Sequence, residues 1–357
     1  MSDRARLLTV VAFLVAAAAT FVPAPSGVAA TTEADSATAD SLLGPTIAAV
    51  GDMACDQSDP AFRTGEGGPL ACAQRRTSDA MLADTTIDGG ILGLGDYQYD
   101  CGDTADYAVS YDPTWGRLDP QWDALVAGNH EYKTGNDVFG SPCPTTNVTA
   151  QNFFTRFGFS NTYGPVSHPE TAGHFSFDLG SWHLIGLNGN CAKSGVGGCS
   201  ASSKQTKWLK ADLAATTQTC VLAFWHQPLW TGIQTGKNNK YKPWWAALYA
   251  AHADVVLGGH VHNYQRFAPM DFDGNPDSVN GITEYIAGTG GEKQVVVKAG
   301  VVPYPVAQVK SFGYLRMTLL ETGWTEDFLD TFGNVIDSST GTCHDVAVPP
   351  TSPPNNL

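Results

Sequence analysis

The amino-acid sequence predicts an α/β sandwich, and three observations support that prediction. Short apolar strands alternate with helical segments over most of the chain. Strand-like runs with few helical signals then fill residues 282–336. The composition of the 357 residues, 43% apolar and 15% charged, is that of a globular protein with a large core to bury.

The individual elements follow from the pattern in chain order. Short apolar runs predict strands at 46–50, 90–94, 124–127, 220–225 and 254–257, and a hairpin at 175–178 and 183–187. Helical spacing predicts helices at 74–84, 203–215 and 244–252. The Gly288-Thr289-Gly290-Gly291 segment lacks the context of a phosphate-binding loop, so we expect a tight turn near the site.

Both ends of the chain are predicted to lie outside the folded domain. Residues 1–30 have a basic start, an apolar stretch and small residues before position 30, which is typical of a signal peptide; a membrane anchor is the alternative. Residues 31–43 are predicted to be a flexible leader, 44–345 one domain, and 346–357 a Pro-rich disordered tail. After signal cleavage no stable membrane span is expected, and the protein would be secreted.

Charge and cysteine content restrict the partners and the compartment. The formal net charge of −15 argues against a nucleic-acid-binding surface, because such surfaces are basic. Eight cysteines in an exported chain predict disulfides. The sequence leaves their connectivity open, and pairing of neighbours (55–72, 101–143, 191–199 and 220–343) is one possibility. The glycosylation pattern Asn147-Val148-Thr149 matters only in a host that glycosylates.

Five short polar motifs each follow a predicted strand. They are Gly51-Asp52, Gly95-Asp96-Tyr97-Gln98-Tyr99, Gly128-Asn129-His130-Glu131, Phe224-Trp225-His226 and Gly259-His260-Val261-His262. Ligand sites in α/β sheets collect at the carboxyl ends of strands, so we expect these motifs to converge. Carboxylate, imidazole, amide and phenol groups are ligands of iron, manganese and zinc, and there are more of them than one tetrahedral site needs. The sequence therefore predicts a two-metal centre suited to phosphoryl displacement.

Each motif residue also has a purely structural interpretation. Asp52 and Asp96 could be ordinary turn residues after strands. Tyr99 could cap the core with its ring. His260 and His262 would lie on opposite faces of a straight strand, although Gly258-Gly259 favours a loop there. The remaining histidines, at positions 168, 174, 183, 252 and 344, are expected to be structural or surface residues.

The ordered series of motifs from Ile47 to Arg266 resembles the calcineurin-like metallophosphoesterase superfamily. Tyr99 and the run 259–266 are similar to those of purple acid phosphatases. The chain thus resembles a secreted bacterial member of the superfamily that is similar to purple acid phosphatases. The resemblance implies a four-layer α/β/β/α sandwich of two mixed β-sheets flanked by helices. It also implies two metal ions, iron paired with zinc, manganese or iron. The first motif, Gly51-Asp52-Met53-Ala54, departs from the usual GDxG but keeps the aspartate.

The resemblance further implies a role for each motif residue. The first ion would be held by Asp52, Asp96, Tyr99 and His262, with Asp96 bridging to the second. The site of the second ion would be completed by Asn129, His226 and His260.

The implied catalytic residues are His130, as general acid or phosphate ligand, and Glu131, which would orient it. The expected reaction is hydrolysis of small phosphate monoesters by metal-bound hydroxide. A phosphodiesterase, or a non-catalytic surface protein on a degenerate scaffold, is the alternative.

Overall fold

Two β-sheets packed face to face organise the protein, in a computed structural model that describes residues 44–158, 173–233, 238–296 and 302–344. The predicted signal peptide, leader and tail, and His168, lie outside the described residues. The strands are β1 (Thr46–Val50), β2 (Ile91–Gly93), β3 (Trp122–Leu125), β4 (Phe175–Leu179), β5 (Trp182–Gly186), β6 (Cys220–Phe224), β7 (Val255–Gly258), β8 (Tyr264–Arg266), β9 (Thr283–Ala287), β10 (Ala307–Val309), β11 (Gly313–Leu320), β12 (Gly323–Asp330) and β13 (Val335–Thr342).

The helices are short and lie between the strands in sequence. They are α1 (Gln74–Ala83), α2 (Thr104–Asp106), α3 (Gln151–Arg156), α4 (Lys204–Ala215) and α5 (Lys242–Ala250). Helix α4 begins after Ser203, whose side chain caps it by accepting from the Thr206 N–H. Helix α5 begins two residues before the predicted start, with a proline in its first turn, where the missing N–H costs nothing.

Each sheet mixes parallel and antiparallel pairs. The first sheet has the order β13-β12-β11-β1-β2-β3, and the second β10-β8-β9-β7-β6-β5-β4. Strands β1, β2 and β3 run parallel, as do β5, β6, β7 and β9. The parallel strands of each sheet therefore bring their carboxyl ends, and the motifs that follow them, to a common edge.

Three apolar cores separate the layers and confirm the predicted sandwich. The central core joins the two sheets, with Ile47 and Leu92 of one packed in a cluster with Leu222 and Leu257 of the other. A second core covers the outer face of the second sheet with α4 and α5. A third covers the outer face of the first sheet and includes Met81 of α1. The result is the expected order of helices, sheet, sheet and helices.

Four disulfides close loops of the fold, and their connectivity is that of neighbouring cysteines. The bonds join Cys55 to Cys72, Cys101 to Cys143, Cys191 to Cys199 and Cys220 to Cys343. Two of the bonds begin within three residues of the motif residues Asp52 and Tyr99. The loops that leave these strand ends are thus covalently closed.

Asn147 of the glycosylation pattern is buried rather than presented to solvent. Its side chain is 0% exposed and its amide donates to the carbonyls of Cys101 and Lys133. The amide therefore ties two segments of the loop together.

Within the described residues, no helix has the length and apolar character needed to cross a bilayer.

Candidate metal centre

The motif residues leave their strands in unusual backbone conformations that turn them toward one another. Asp52, Asp96 and His260 have φ values of 59°, 54° and 65°, in the left-handed region that non-glycine residues rarely occupy. Such conformations persist only where the surrounding structure holds them, and they cluster at functional sites. Position 128 requires glycine because the Asp96 carboxylate lies close to its backbone: a Cβ there would be 2.1 Å from that carboxylate.

One group of donor atoms gathers around the hydroxyl of Tyr99. That oxygen lies 2.7 Å from Asp52 Oδ1, 3.0 Å from Asp96 Oδ2 and 3.1 Å from His262 Nε2. The His262 nitrogen is also 3.1 Å from Asp52 Oδ1. His262 Nδ1 donates to the carbonyl of Lys293, so its Nε2 lone pair is free to face the group.

A second group gathers around His226. Its Nε2 lies 2.9 Å from Asp96 Oδ2 and 3.2 Å from Asn129 Oδ1. Its Nδ1 donates to the Leu94 carbonyl, which again leaves Nε2 to face inward. His260 completes the group, since donor atoms of Asp96, His226 and His260 all lie within 4.8 Å of one another. Asp96 Oδ2 therefore belongs to both groups.

The spacing and chemistry of these donors fit two metal ions. Ligands bonded to an ion at about 2.1 Å lie about 3 Å apart along the edge of an octahedron, and the measured separations cluster near that value. Oxygen and imidazole donors suit iron, manganese and zinc. The seven residues that the sequence predicted as ligands are thus brought together, in two groups that share one carboxylate.

Electrostatics identify the centre as a concentration of negative charge. Burial alone would lower the pKa of His226, but the Asp96 carboxylate outweighs it and raises the pKa to about 9. Asp52 does the same for His262, whose pKa also rises to about 9 despite burial. Burial, together with the neighbouring His226, lowers the pKa of His260 to about 4. Burial and the two aspartates raise the pKa of Tyr99. A cation at the centre would offset the charge of both carboxylates.

His130 lies beside the two groups and is held from behind by Asp100. Its Nδ1 is 3.0 Å from Asp100 Oδ1 and also contacts the Asp100 carbonyl, while its Nε2 is 3.9 Å from Asp96 Oδ2. Lys133 pairs with the other oxygen of the Asp100 carboxylate. Although burial opposes ionisation, His130 and Lys133 lower the pKa of Asp100 to about 2. Burial lowers the pKa of His130, but Asp96 and Asp100 raise it overall.

The expected role of Glu131 differs from the contacts in the structure. Its carboxylate accepts from the backbone N–H groups of Asp96, Tyr97 and Gly128, at 3.0, 2.8 and 2.6 Å. Burial and the Asp96 charge raise the pKa of Glu131 to about 7. The residue that contacts the His130 ring is Asp100, whereas the Glu131 side chain lies beneath the loops after β2 and β3. Glu131 fixes the backbone of two motifs to each other.

Two acidic residues near the centre carried no signal in the sequence. Asp100 directly follows Tyr99, but no spacing rule distinguishes it from an ordinary loop aspartate. Glu292 follows the Gly288–Gly291 turn, and its N–H donates to the Asp52 carbonyl at 3.0 Å. The turn itself lies where it was expected, against the first motif: the Gly290 N–H donates to the Gly51 carbonyl at 2.9 Å. Only the tertiary structure brings these two residues to the site.

Two of the remaining histidines form ion pairs with aspartates, and four tryptophans pack in a core. His183 is sandwiched between Asp178 and Asp212 at 2.6 and 2.9 Å, and His344 pairs with Asp254 at 3.1 Å. Four tryptophans are buried in the second core, where their rings pack against α4, α5 and the sheet: Trp225, Trp230, Trp244 and Trp245.

Comparison with known proteins gives a family match and several relatives. A family model described as Calcineurin-like phosphoesterase matches residues 46–264. Purple acid phosphatase 22 of Arabidopsis thaliana is 26% identical over 233 residues, covering 60% of this chain and 49% of that protein. Acid phosphatase A of Cryphonectria parasitica is 26% identical over 257 residues, covering 60% and 51%. The chain thus spans about half the length of these curated relatives.

Solved structures share the fold at low sequence identity. A purple acid phosphatase from yellow lupin seeds, PPD1, superimposes with a TM-score of 0.59 at 16% identity, covering 84% of this chain and 53% of that one. The structure of PhoD gives a TM-score of 0.53 at 14% identity, covering 84% and 68%. At these identities the likeness concerns the arrangement of the two sheets and the helices that flank them.

Proposed function

Because the chain belongs to the calcineurin-like phosphoesterase family, we propose that it is a secreted, metal-dependent hydrolase of phosphate monoesters. The observation that supports this most directly is the position of Asp96 Oδ2, which lies 3.0 Å from the Tyr99 hydroxyl and 2.9 Å from His226 Nε2. A carboxylate oxygen shared by two donor groups is what a bridged pair of ions needs. Four disulfides, together with the predicted signal peptide, support an oxidising compartment.

The proposed ligands keep their assignment from the sequence. Asp52, Asp96, Tyr99 and His262 would hold one ion, and Asn129, His226 and His260 the other, with Asp96 between them. Two bound ions supply Lewis acidity and a nucleophile from water near neutral pH. The pair is proposed to be iron with zinc, manganese or iron, as the resemblance to purple acid phosphatases implies, and the oxygen and imidazole donors suit these ions.

The chain itself contributes positioning and a proton. His130 stands beside the donor groups with Nε2 toward Asp96, and Asp100 fixes its ring through Nδ1. An imidazole held in this way can donate a proton from Nε2 to the departing alcohol oxygen, or hydrogen-bond the phosphate. Asp100 is paired with Lys133 and stays ionised, so it keeps the His130 ring oriented.

Elemental analysis of the purified protein, with a visible spectrum and a p-nitrophenyl phosphate assay, tests the proposal. We expect about two metal ions per chain and turnover that is lost on chelation and regained on metal addition. A broad visible band from tyrosinate bound to iron(III) would support Tyr99 as a ligand. Activity without that band would favour zinc or manganese and remove Tyr99 from the ligand set. A protein with no metal affinity and no turnover would instead be a non-catalytic member of the family.

A further inference from the structure

The strand β5 ends at the same edge of the second sheet as the strands that carry the motif residues. It runs parallel to β6, so the loop that follows it, residues 187–190, emerges beside the segment that carries His226. The Leu187 N–H donates to the Phe224 carbonyl at 2.9 Å, two residues before that histidine. We call residues 187–190 the β5 loop. It was not among the five motifs identified in the sequence.

Asn190 of the β5 loop holds the backbone that carries the proposed ligand Asn129. The residue is 7% exposed, and its Nδ2 lies 3.1 Å from the Gly128 carbonyl oxygen and 3.2 Å from that of Ala127. The Gly128 carbonyl belongs to the planar peptide group that joins Gly128 to Asn129. Because the Gly128 N–H donates to Glu131 at 2.6 Å, this glycine is held on both sides.

The Asn190 side chain is itself fixed within the β5 loop. Its backbone N–H and its Nδ2 lie 3.1 and 3.0 Å from Asn188 Oδ1. Asn188 is in turn anchored to helix α4, because its N–H donates to Gln205 Oε1 at 2.8 Å and its carbonyl accepts from Gln205 Nε2 at 3.2 Å. The loop therefore presents the Asn190 amide to Gly128 from a buried helix.

Gly189 connects the β5 loop to the segment that carries His226. The buried hydroxyl of Tyr241 lies 2.8 Å from both the Gly189 carbonyl and Gln227 Oε1. Gln227 directly follows His226, and its Nε2 lies 3.5 Å from Asn129 Oδ1. A Cβ at position 189 would lie 2.2 Å from Gln227 Oε1, so the close approach requires glycine. Two ligand-bearing segments of the second donor group thus meet one loop.

The donor group around Tyr99 is held by other segments of the chain. His262 Nδ1 donates to the Lys293 carbonyl at 2.7 Å, and the Tyr99 N–H donates to the Ala54 carbonyl at 2.8 Å. Residues that orient metal ligands commonly affect metal affinity as strongly as 10–100-fold, as a rough guide. The two proposed metal sites therefore depend on different supports.

We propose that the β5 loop, through Asn190, positions Asn129 and thereby sets the affinity of the second metal site separately from that of the first. Asn190 is a positioning residue, because it contacts the backbone that carries a ligand and not the ion. The inference rests on the proposed two-metal function and assigns one loop of the chain to one of the two ions.

Calorimetric titration of the metal-free protein with Zn²⁺ alone tests the proposal. We expect two binding events for the wild-type protein, and Asn129→Ala identifies the event of the second site as the one that it weakens. Asn190→Ala should weaken the same event about 10–100-fold and leave the other within about twofold. A purely structural role of Asn190 would not produce this selectivity, because general loosening of the fold would affect both events.

A second variant and a matched control complete the experiment. Tyr241→Phe removes the hydroxyl between Gly189 and Gln227 and keeps the buried ring, so it should weaken the same event even if Asn190→Ala does not fold. Asn334→Ala also removes a hydrogen-bonded side-chain amide, in the turn between β12 and β13, and should leave both events unchanged.

Equal weakening of both events by Asn190→Ala would overturn the proposal, and so would a second event that neither variant weakens. A wild-type protein with a single zinc event would also overturn it, because there would be no second site to position. If the wild-type protein binds two ions but hydrolyses no phosphate ester, the proposed function fails instead. The zinc titration still decides the role of Asn190 in that case.

Discussion

Replacing Glu131 with glutamine tests whether this residue organises the loops or acts in catalysis. The side chain is 1% exposed and its two oxygens accept three backbone N–H groups, from Asp96, Tyr97 and Gly128. Glutamine keeps one carbonyl oxygen, which can retain the two bonds now made to Oε2. Its NH₂ group then faces the Tyr97 N–H, leaving two buried donors without an acceptor.

The expected cost follows from that count. An unsatisfied buried donor costs about 1–3 kcal/mol, so two of them should lower the free energy of unfolding by about 3 kcal/mol. That is a large fraction of the ~5–15 kcal/mol typical of a folded domain. Because the same loops carry Asp96, Asn129 and His130, we also expect weaker metal binding rather than a fall in kcat alone.

Urea unfolding of the metal-free protein, followed by tryptophan fluorescence, measures the effect without a contribution from bound ions. Nine tryptophans provide the signal. Glu66→Gln is the matched control, since Glu66 is 57% exposed and pairs with Arg75 at the surface; we expect a change of less than about 1 kcal/mol. A Glu131→Gln variant of wild-type stability and metal affinity but reduced kcat would refute the structural role and restore the one implied by the family resemblance.

Three further predictions concern the centre and the core. Asp96→Ala should remove both metal ions and all turnover, since its Oδ2 belongs to both donor groups; near-normal activity or two retained ions by elemental analysis would contradict this. His130→Ala should retain both metal ions and lower kcat by about 10²–10⁴-fold; loss of metal would instead identify His130 as a ligand. Burial raises the pKa of Glu326 to about 8 from 4.5, so the folded protein holds a proton that the unfolded chain releases between those values. Stability from this group is therefore present below about pH 4.5 and lost as pH rises through about 8; Glu326→Gln should flatten that decline in urea unfolding, and an unchanged slope would argue against it.

The sequence predicted which residues lie together, because each of the proposed ligands closely follows a strand. Asp52, Asp96 and His226 each stand within a few residues of a strand end, so strand assignment and residue type together were sufficient. Predicted strand ends were off by one or two residues, as at β3, because the chain leaves the sheet before the motif begins. These shifts of one or two residues do not move any proposed ligand away from the common edge of the sheet.

The groups around the ligands were harder to predict because their roles depend on tertiary contacts. The family resemblance implied that Glu131 orients His130, but in the structure its carboxylate accepts from backbone N–H groups. Asp100 has no regular spacing from His130 and Lys133, the residues that it contacts. Its position depends on a loop closed by a disulfide, which local propensity does not encode.

The buried amide of Asn147 has a consequence for the choice of production host. In a eukaryotic secretory pathway an oligosaccharide is added to the nascent chain, before the loop closed by Cys101–Cys143 has packed. A glycan on Nδ2 would occupy the space of the Cys101 and Lys133 carbonyls that this amide reaches in the folded protein. Glycosylated molecules could not complete the loop beside His130 and Asp100. Yeast or mammalian secretion should thus yield a modified, misfolded fraction that bacterial periplasmic export avoids.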